Sequence, residues 1–207
     1  MSKQKFQNKT LYTKRCVDNI LAVYDQATEE DKFDWYFDAR QFARTLAAIY
    51  FVDYYKVCGI IAAISPQTNW KLNKKLAEEF INTGKAKHTG MFLSKAEDIL
   101  NGSGSPEDIC DVLNGNKITS FFLNIAFPND IQTVTIDRHA QDIALGGELD
   151  NNKRSMTLNQ YNFFSNCYRI AAGMRSLPPY MMQSVTWVKW RKLKKQNTEE
   201  IKAHIPF

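Results

Sequence analysis

Asp111–Gly146 reads DVLNGNKITSFFLNIAFPNDIQTVTIDRHAQDIALG and sets one lysine and one aspartate at the mouths of two successive helices. A helical run closes near Leu113. Gly115 breaks it, and Asn116, Lys117 and Thr119 then open an apolar stretch, Ile118, Phe121, Phe122 and Ile125, with the spacing of a buried helix face. This predicts helix, tight hairpin, helix over 111–126. Unpaired backbone amides at a helix start, with a lysine beside them, suit a phosphate. Asn114, Gly115, Asn116 and Thr119 are therefore candidate contacts to a phosphate backbone. After the extended run Thr133-Val134-Thr135-Ile136, Asp137 heads a helix from Arg138 to Leu145, where an aspartate is a natural N-cap.

The neighbouring segments also read as helices. Leu11, Cys16, Ile20, Leu21 and Val23 predict an amphipathic helix over Thr10–Gln26; Trp35, Tyr36, Ala39, Phe42, Ala43, Leu46 and Ala47 predict a second. Tyr54–Ile64 is almost continuously apolar, and its alanines favour helix over buried strand. Pro66 makes Ser65-Pro66-Gln67 a turn before a helix that Gly84 ends. Gly90-Met91-Phe92-Leu93 reads as a loop leading to a short helix capped by Ser94, and Glu107–Leu113 as another short helix. Beyond Gly146-Gly147, Glu148–Arg154 is an exposed charged excursion. Thr157 then starts a helix that Gly173 ends, and a last helix bears Met182, Val185, Trp187, Val188 and Trp190. Only Thr133–Ile136 is expected to be extended, so the class is all-α.

With 207 residues, 44% hydrophobic and 13% aromatic, the chain can bury a core and is not a disordered segment. No run of about 18 apolar residues occurs and MSKQKFQNK is not a signal peptide, so a soluble, intracellular, cytoplasmic monomer without a membrane partner is expected. Cys16, Cys58, Cys110 and Cys167 form no CxxC pair, which excludes zinc and iron–sulfur spacings; reduced thiols and no metal or cofactor are expected. The net charge of +5 is modest, but Lys189, Arg191, Lys192, Lys194 and Lys195 crowd together and Lys3, Lys5, Lys9, Lys14 and Arg15 load the start. Such clusters attract phosphate backbones. Lys189 and Arg191 join the candidate contacts, with 189–207 a basic tail; a merely solvated helix face is the alternative.

Three ordered stretches together resemble the helix-hairpin-helix DNA glycosylases, a superfamily that includes endonuclease III. ISPQTNWKLNKKLAEEF, Ile64–Phe80, is similar to that family's serine-x-glutamine helix start followed by an asparagine-lysine helix. GMFLSKAEDIL, Gly90–Leu100, is similar to its glycine-apolar-aromatic loop and serine-lysine-alanine helix. GNKITSFFLNIAF followed by VTIDRHA resembles its hairpin, lysine-led helix and valine-aspartate-x-histidine cap. The set spans about half the chain. It departs from endonuclease III in lacking the cysteine-ligated cluster, and in keeping only Gly115 where the family hairpin shows two glycines.

The resemblance implies a two-lobed helical fold with a central DNA-binding cleft. One lobe, 51–127, would carry the hairpin; the other, 10–50 plus 137–191, would be built from the chain ends; Lys117 and Asp137 would face the cleft. The partner would be double-stranded DNA carrying a damaged or modified base. The expected activity is base excision, with associated lyase activity if the lysine is a nucleophile. Asp137 would stabilise the oxocarbenium charge that develops as the N-glycosidic bond breaks, or activate a nucleophile. Lys117 would attack the anomeric carbon and form a Schiff base. Gln67 and Met91 would fill the gap left by an extruded base, which costs a few kcal/mol if left open. His139 would support the site from behind. Plainer roles stay open: Asp137 as a cap alone, Lys117 as a phosphate contact, Gln67 as a turn cap, Met91 as core. Counting back from Asp137 selects Thr119 instead of Lys117, whereas the apolar helix pattern selects Lys117. Two other functions remain open, a phage enzyme of base hypermodification with a glycosylase-like site and a non-catalytic DNA-binding module.

Overall fold

The structure is a computed structural model and describes residues 3–6, 9–150 and 155–203. Among these the chain is mostly helical, and the all-α class holds. The order is β1 (Lys3–Phe6), β2 (Lys9–Tyr12), α1 (Thr13–Tyr24), α2 (Trp35–Tyr50), α3 (Tyr54–Ile64), α4 (Trp70–Thr83), α5 (Gly90–Asn101), α6 (Pro106–Leu113), α7 (Asn116–Ala126), α8 (Arg138–Leu145), α9 (Leu158–Gly173) and α10 (Pro179–Ala203). The chain forms two compact units, Met1–Trp35 with Ile131–Phe207, and Tyr36–Asp130. No single helix among the described residues is long and apolar enough to cross a membrane.

The contiguous unit, 36–130, is built around α3. Val57–Ile64 are all buried, which is why this segment shows no amphipathic stripe: α4, α5, α6 and α7 pack around it. Asp53 caps α3 by accepting from the amides of Tyr55 and Lys56. Gly59 allows the close approach, since a Cβ there would lie 2.8 Å from Ile109 Cγ2 and 3.1 Å from Ile99 Cγ2. Asn73 of α4 donates from Nδ2 to the Ile61 carbonyl at 3.0 Å, tying the two helices inside the core. α2 belongs to this unit, not with the chain ends as 10–50 was expected to be. Its inward groups explain why: the Tyr36 ring meets Phe121, Phe42 meets Trp70 edge-on, and the buried Arg40 guanidinium donates to the Asn124 carbonyl.

The other unit packs α1, α8, α9 and α10 around Ile20, Ile136, Ile143, Phe164, Cys167, Tyr168 and Met182. Asn19 of α1 donates to the Ala144 carbonyl at 3.0 Å and fixes α1 against the end of α8. A capping box of Thr157 and Gln160 starts α9.

Three expectations are corrected. β1 and β2 pair antiparallel, with Lys3 opposite Tyr12, where only helix or unstructured chain was expected; the predicted helix from Thr10 begins at Thr13. Gly90-Met91-Phe92-Leu93 is the first turn of α5, not a loop, and Thr89 instead of Ser94 precedes the helix: burying Phe92 and Ala96 on one face overrides the weak helix preference of Gly90. Thr133–Ile136 lies outside any strand and is held by side-chain hydrogen bonds instead. Of the predicted charged excursion, 151–154 lie outside the described residues, as do 204–207 of the basic tail.

Candidate active site

Asp137 is positioned from three directions. Before it, the Tyr161 hydroxyl accepts from Ile136 N and donates to the Val134 carbonyl, both at 3.0 Å, so α9 grips the incoming chain. After it, α8 begins, and Asp137 Oδ1 accepts from the amides of His139 at 3.0 Å and Ala140 at 2.8 Å. From the side, Trp187 of α10 donates its indole N–H to Oδ2 at 3.2 Å. The carboxylate is half-buried and fixed by three N–H donors, two from α8 and one from α10.

Trp187 is the centre of the aromatic surroundings. Its ring lies 6.2 Å from that of Trp35 and 6.3 Å from that of His139, and the Arg191 guanidinium stands over it at 4.7 Å. His139 packs against this indole through its ring, while its Nδ1 is buried without a partner. Burial holds the imidazole below its usual range, outweighing the pull of Asp137, and Arg138 and Lys194 add to the fall. Sequence reasoning missed Trp187 and Trp35 because no spacing rule links a cap to an indole fifty residues later.

Lys117 belongs to the other unit. There α6 ends at Asn114, which takes the left-handed conformation at φ 41° and donates its N–H to the Cys110 carbonyl. Gly115 is extended at φ −163°, and α7 starts at Asn116. Lys95 of α5 donates its ammonium to the Val112 carbonyl at 3.0 Å and to that of Leu113, so the turn is clamped from outside. Lys117 is exposed in the first turn of α7, while Thr119 is half-buried with its amide already bonded to the Gly115 carbonyl; Phe122 points into the core.

Gly115 is not required by the turn. Its φ suits any residue, and a Cβ there meets nothing closer than 3.5 Å. Gly115→Ala should therefore change stability by no more than about 0.5 kcal/mol. If a phosphate approaches this backbone, duplex affinity should still fall severalfold, as measured by fluorescence anisotropy; unchanged affinity would place phosphate contact elsewhere.

Gln67 and Met91 also belong to the unit of 36–130. Gln67 is exposed and adopts φ 63°, a left-handed conformation that costs a non-glycine residue about 1–2 kcal/mol. Met91 is 62% exposed and Phe92 beside it is buried, so of the apolar side chains expected there the core takes Phe92 and leaves Met91 outside. Neither residue contributes to the core. Gln67→Gly should leave stability unchanged or raise it by up to about 1 kcal/mol; if the residue fills the gap left by an extruded base, the substitution should lower activity on a paired duplex more than on one already unpaired. Met91→Ala should show the same substrate dependence. Equal loss on both substrates, with a lower melting temperature, would make them packing residues.

The basic run of α10 divides. Lys192 pairs with Asp31 at 2.5 Å and Lys194 with Glu148 at 2.9 Å, so these two charges are partly neutralised within the unit. Burial alone would raise the Asp31 carboxyl, but the Lys192 ammonium and the Thr28 amide and hydroxyl outweigh it and hold the group below the usual carboxylate range. That stabilisation is present above the ordinary carboxylate pKa and is lost as pH falls through the lower folded value. Lys192→Met should accordingly lower the melting temperature at pH 7 and less so in acid. If Lys189 and Arg191 contact a phosphate backbone, Lys189→Ala with Arg191→Ala should reduce the slope of log affinity against log salt by roughly two. A steeper loss of slope from Lys192→Met than from that pair would reverse the assignment.

No curated protein and no solved structure matches the chain. The model of DUF7178, a family of unknown function, matches residues 2–194, and the chain belongs to that family.

Proposed function

We propose that the chain is a DNA base-excision glycosylase of the helix-hairpin-helix type, acting on a flipped base in duplex DNA. The observation that carries this reading is the Asp137 carboxylate, half-buried at the mouth of α8 and held by two backbone amides and the Trp187 indole. A fixed anion costs no reorganisation when positive charge develops at the anomeric carbon, and preorganised groups of this kind are worth roughly 100- to 1,000-fold in rate each. Supporting it, α6, the two-residue turn Asn114-Gly115 and α7 have the order of the hairpin motif, with Lys117 exposed in the first turn. In this reading the turn amides take a phosphate, Lys117 serves as nucleophile or phosphate contact, and exposed Gln67 and Met91 fill the gap in the stack.

The test is release of free base from duplexes each carrying one altered base: uracil, thymine opposite guanine, an alkylated purine, an oxidised purine or an oxidised pyrimidine. Release of at least one is expected. Turnover only on a phosphorylated or pyrophosphorylated base would move the chain to base hypermodification, and tight binding without turnover would make it a binding module.

A further inference from the structure

We infer that Gln141 and Trp190 form the base-reading part of the site that Asp137 heads, a role that rests on the glycosylase reading. Gln141 is fully buried on α8, yet neither its amide nitrogen nor its amide oxygen has a hydrogen-bond partner. It follows Asp137 by four residues, so both lie on the same face of α8. Trp190 on α10 has a buried indole N–H that is likewise unpartnered.

Two contacts show that α10 runs alongside α8 in the same direction. Trp187 meets Asp137 at the start of α8, and Lys194 meets Glu148 just past its end. Trp190, one turn beyond Trp187, is thereby brought level with the second turn of α8, where Gln141 lies. The nearby groups spend their hydrogen bonds elsewhere: the Tyr168 hydroxyl donates to the Ala140 carbonyl and the Thr186 hydroxyl to those of Met182 and Gln183. Buried polar groups are almost always paired, and an amide left without partners has a cost that a ligand can remove. Gln141 offers one donor face and one acceptor, and Trp190 one further donor. The complement is a planar heterocycle with adjacent donor and acceptor atoms on one edge, the pattern of a nucleobase.

The experiment uses the full chain labelled with 15N, to which free uracil, thymine, adenine and hypoxanthine are added separately at millimolar concentration. The Gln141 side-chain amide and Trp190 indole resonances, assigned from Gln141→Met and Trp190→Phe, should move together and saturably with at least one base. Gln141→Met, close in volume and unbranched, should abolish the Trp190 response without lowering the melting temperature, because it removes an unpaired buried amide. Resonances that stay put with every base overturn the proposal, as does a Gln141→Met variant that melts well below the parent chain. Bases that bind while no duplex releases a base support this site and retire the glycosylase reading. Base release with both resonances silent retires this site and leaves Asp137 in place.

Discussion

Asp137→Asn is expected to slow single-turnover base release by roughly 1,000-fold, because it removes the fixed negative charge without removing the cap. Asparagine is as good an N-cap as aspartate, so α8 should still start where it does. One contact distinguishes them. Asp137 accepts from backbone amides on Oδ1 and from the Trp187 indole on Oδ2, whereas an asparagine with its oxygen toward the backbone turns its NH2 toward that indole N–H. Two donors then face each other, and stability should fall by about 1 kcal/mol in urea denaturation. Adding Trp187→Phe removes the opposing donor and should recover much of that loss without recovering activity. If Asp137 is only a cap, Asp137→Asn will keep its activity and lose only the stability.

Lys117→Gln separates the two chemical routes. With Lys117 as nucleophile, borohydride traps a covalent protein–DNA complex in the parent chain, and the substitution abolishes both trapping and strand cutting while Asp137→Asn slows base loss itself. With Lys117 as a phosphate contact, no complex is trapped in the parent chain. Base release then persists in Lys117→Gln, with affinity reduced and the salt slope lowered by about one. Lys117 is exposed, so in either case stability should change by less than about 0.5 kcal/mol. Trapping that survives Lys117→Gln would identify another amine.

Local signals carried far in this chain where the physics is local. The cap at Asp137, the break at Gly84, the turn at Pro66 and the α7 face of Ile118, Phe122 and Ile125 each follow from residues within one or two helical turns, and each element lies where those residues put it. α3 was ambiguous by periodicity because it is buried on every side. What could not be read was set by tertiary contact. Lys3–Phe6 and Lys9–Tyr12 are short and largely polar, with little to mark them as a hairpin. Gly90 opens a helix because Phe92 and Ala96 gain burial there. α2 has an amphipathic pattern that fits either set of neighbours, and its partners Asn124, Phe121 and Trp70 are far away in sequence. Trp187 on Asp137 and Lys192 on Asp31 join residues far apart in the chain, so neither the indole donor nor the ion pair within the basic run could be read from local pattern.

On the proposed reading, the Asp137 site breaks an N-glycosidic bond. This cleavage is tested most directly by incubating the chain in excess over duplexes bearing single altered bases and measuring free base by mass spectrometry, beside Asp137→Asn under the same conditions. Free base from at least one duplex, reduced about 1,000-fold by the substitution, is the expected result. No free base from any duplex that the chain binds, or equal release by Asp137→Asn, would contradict it.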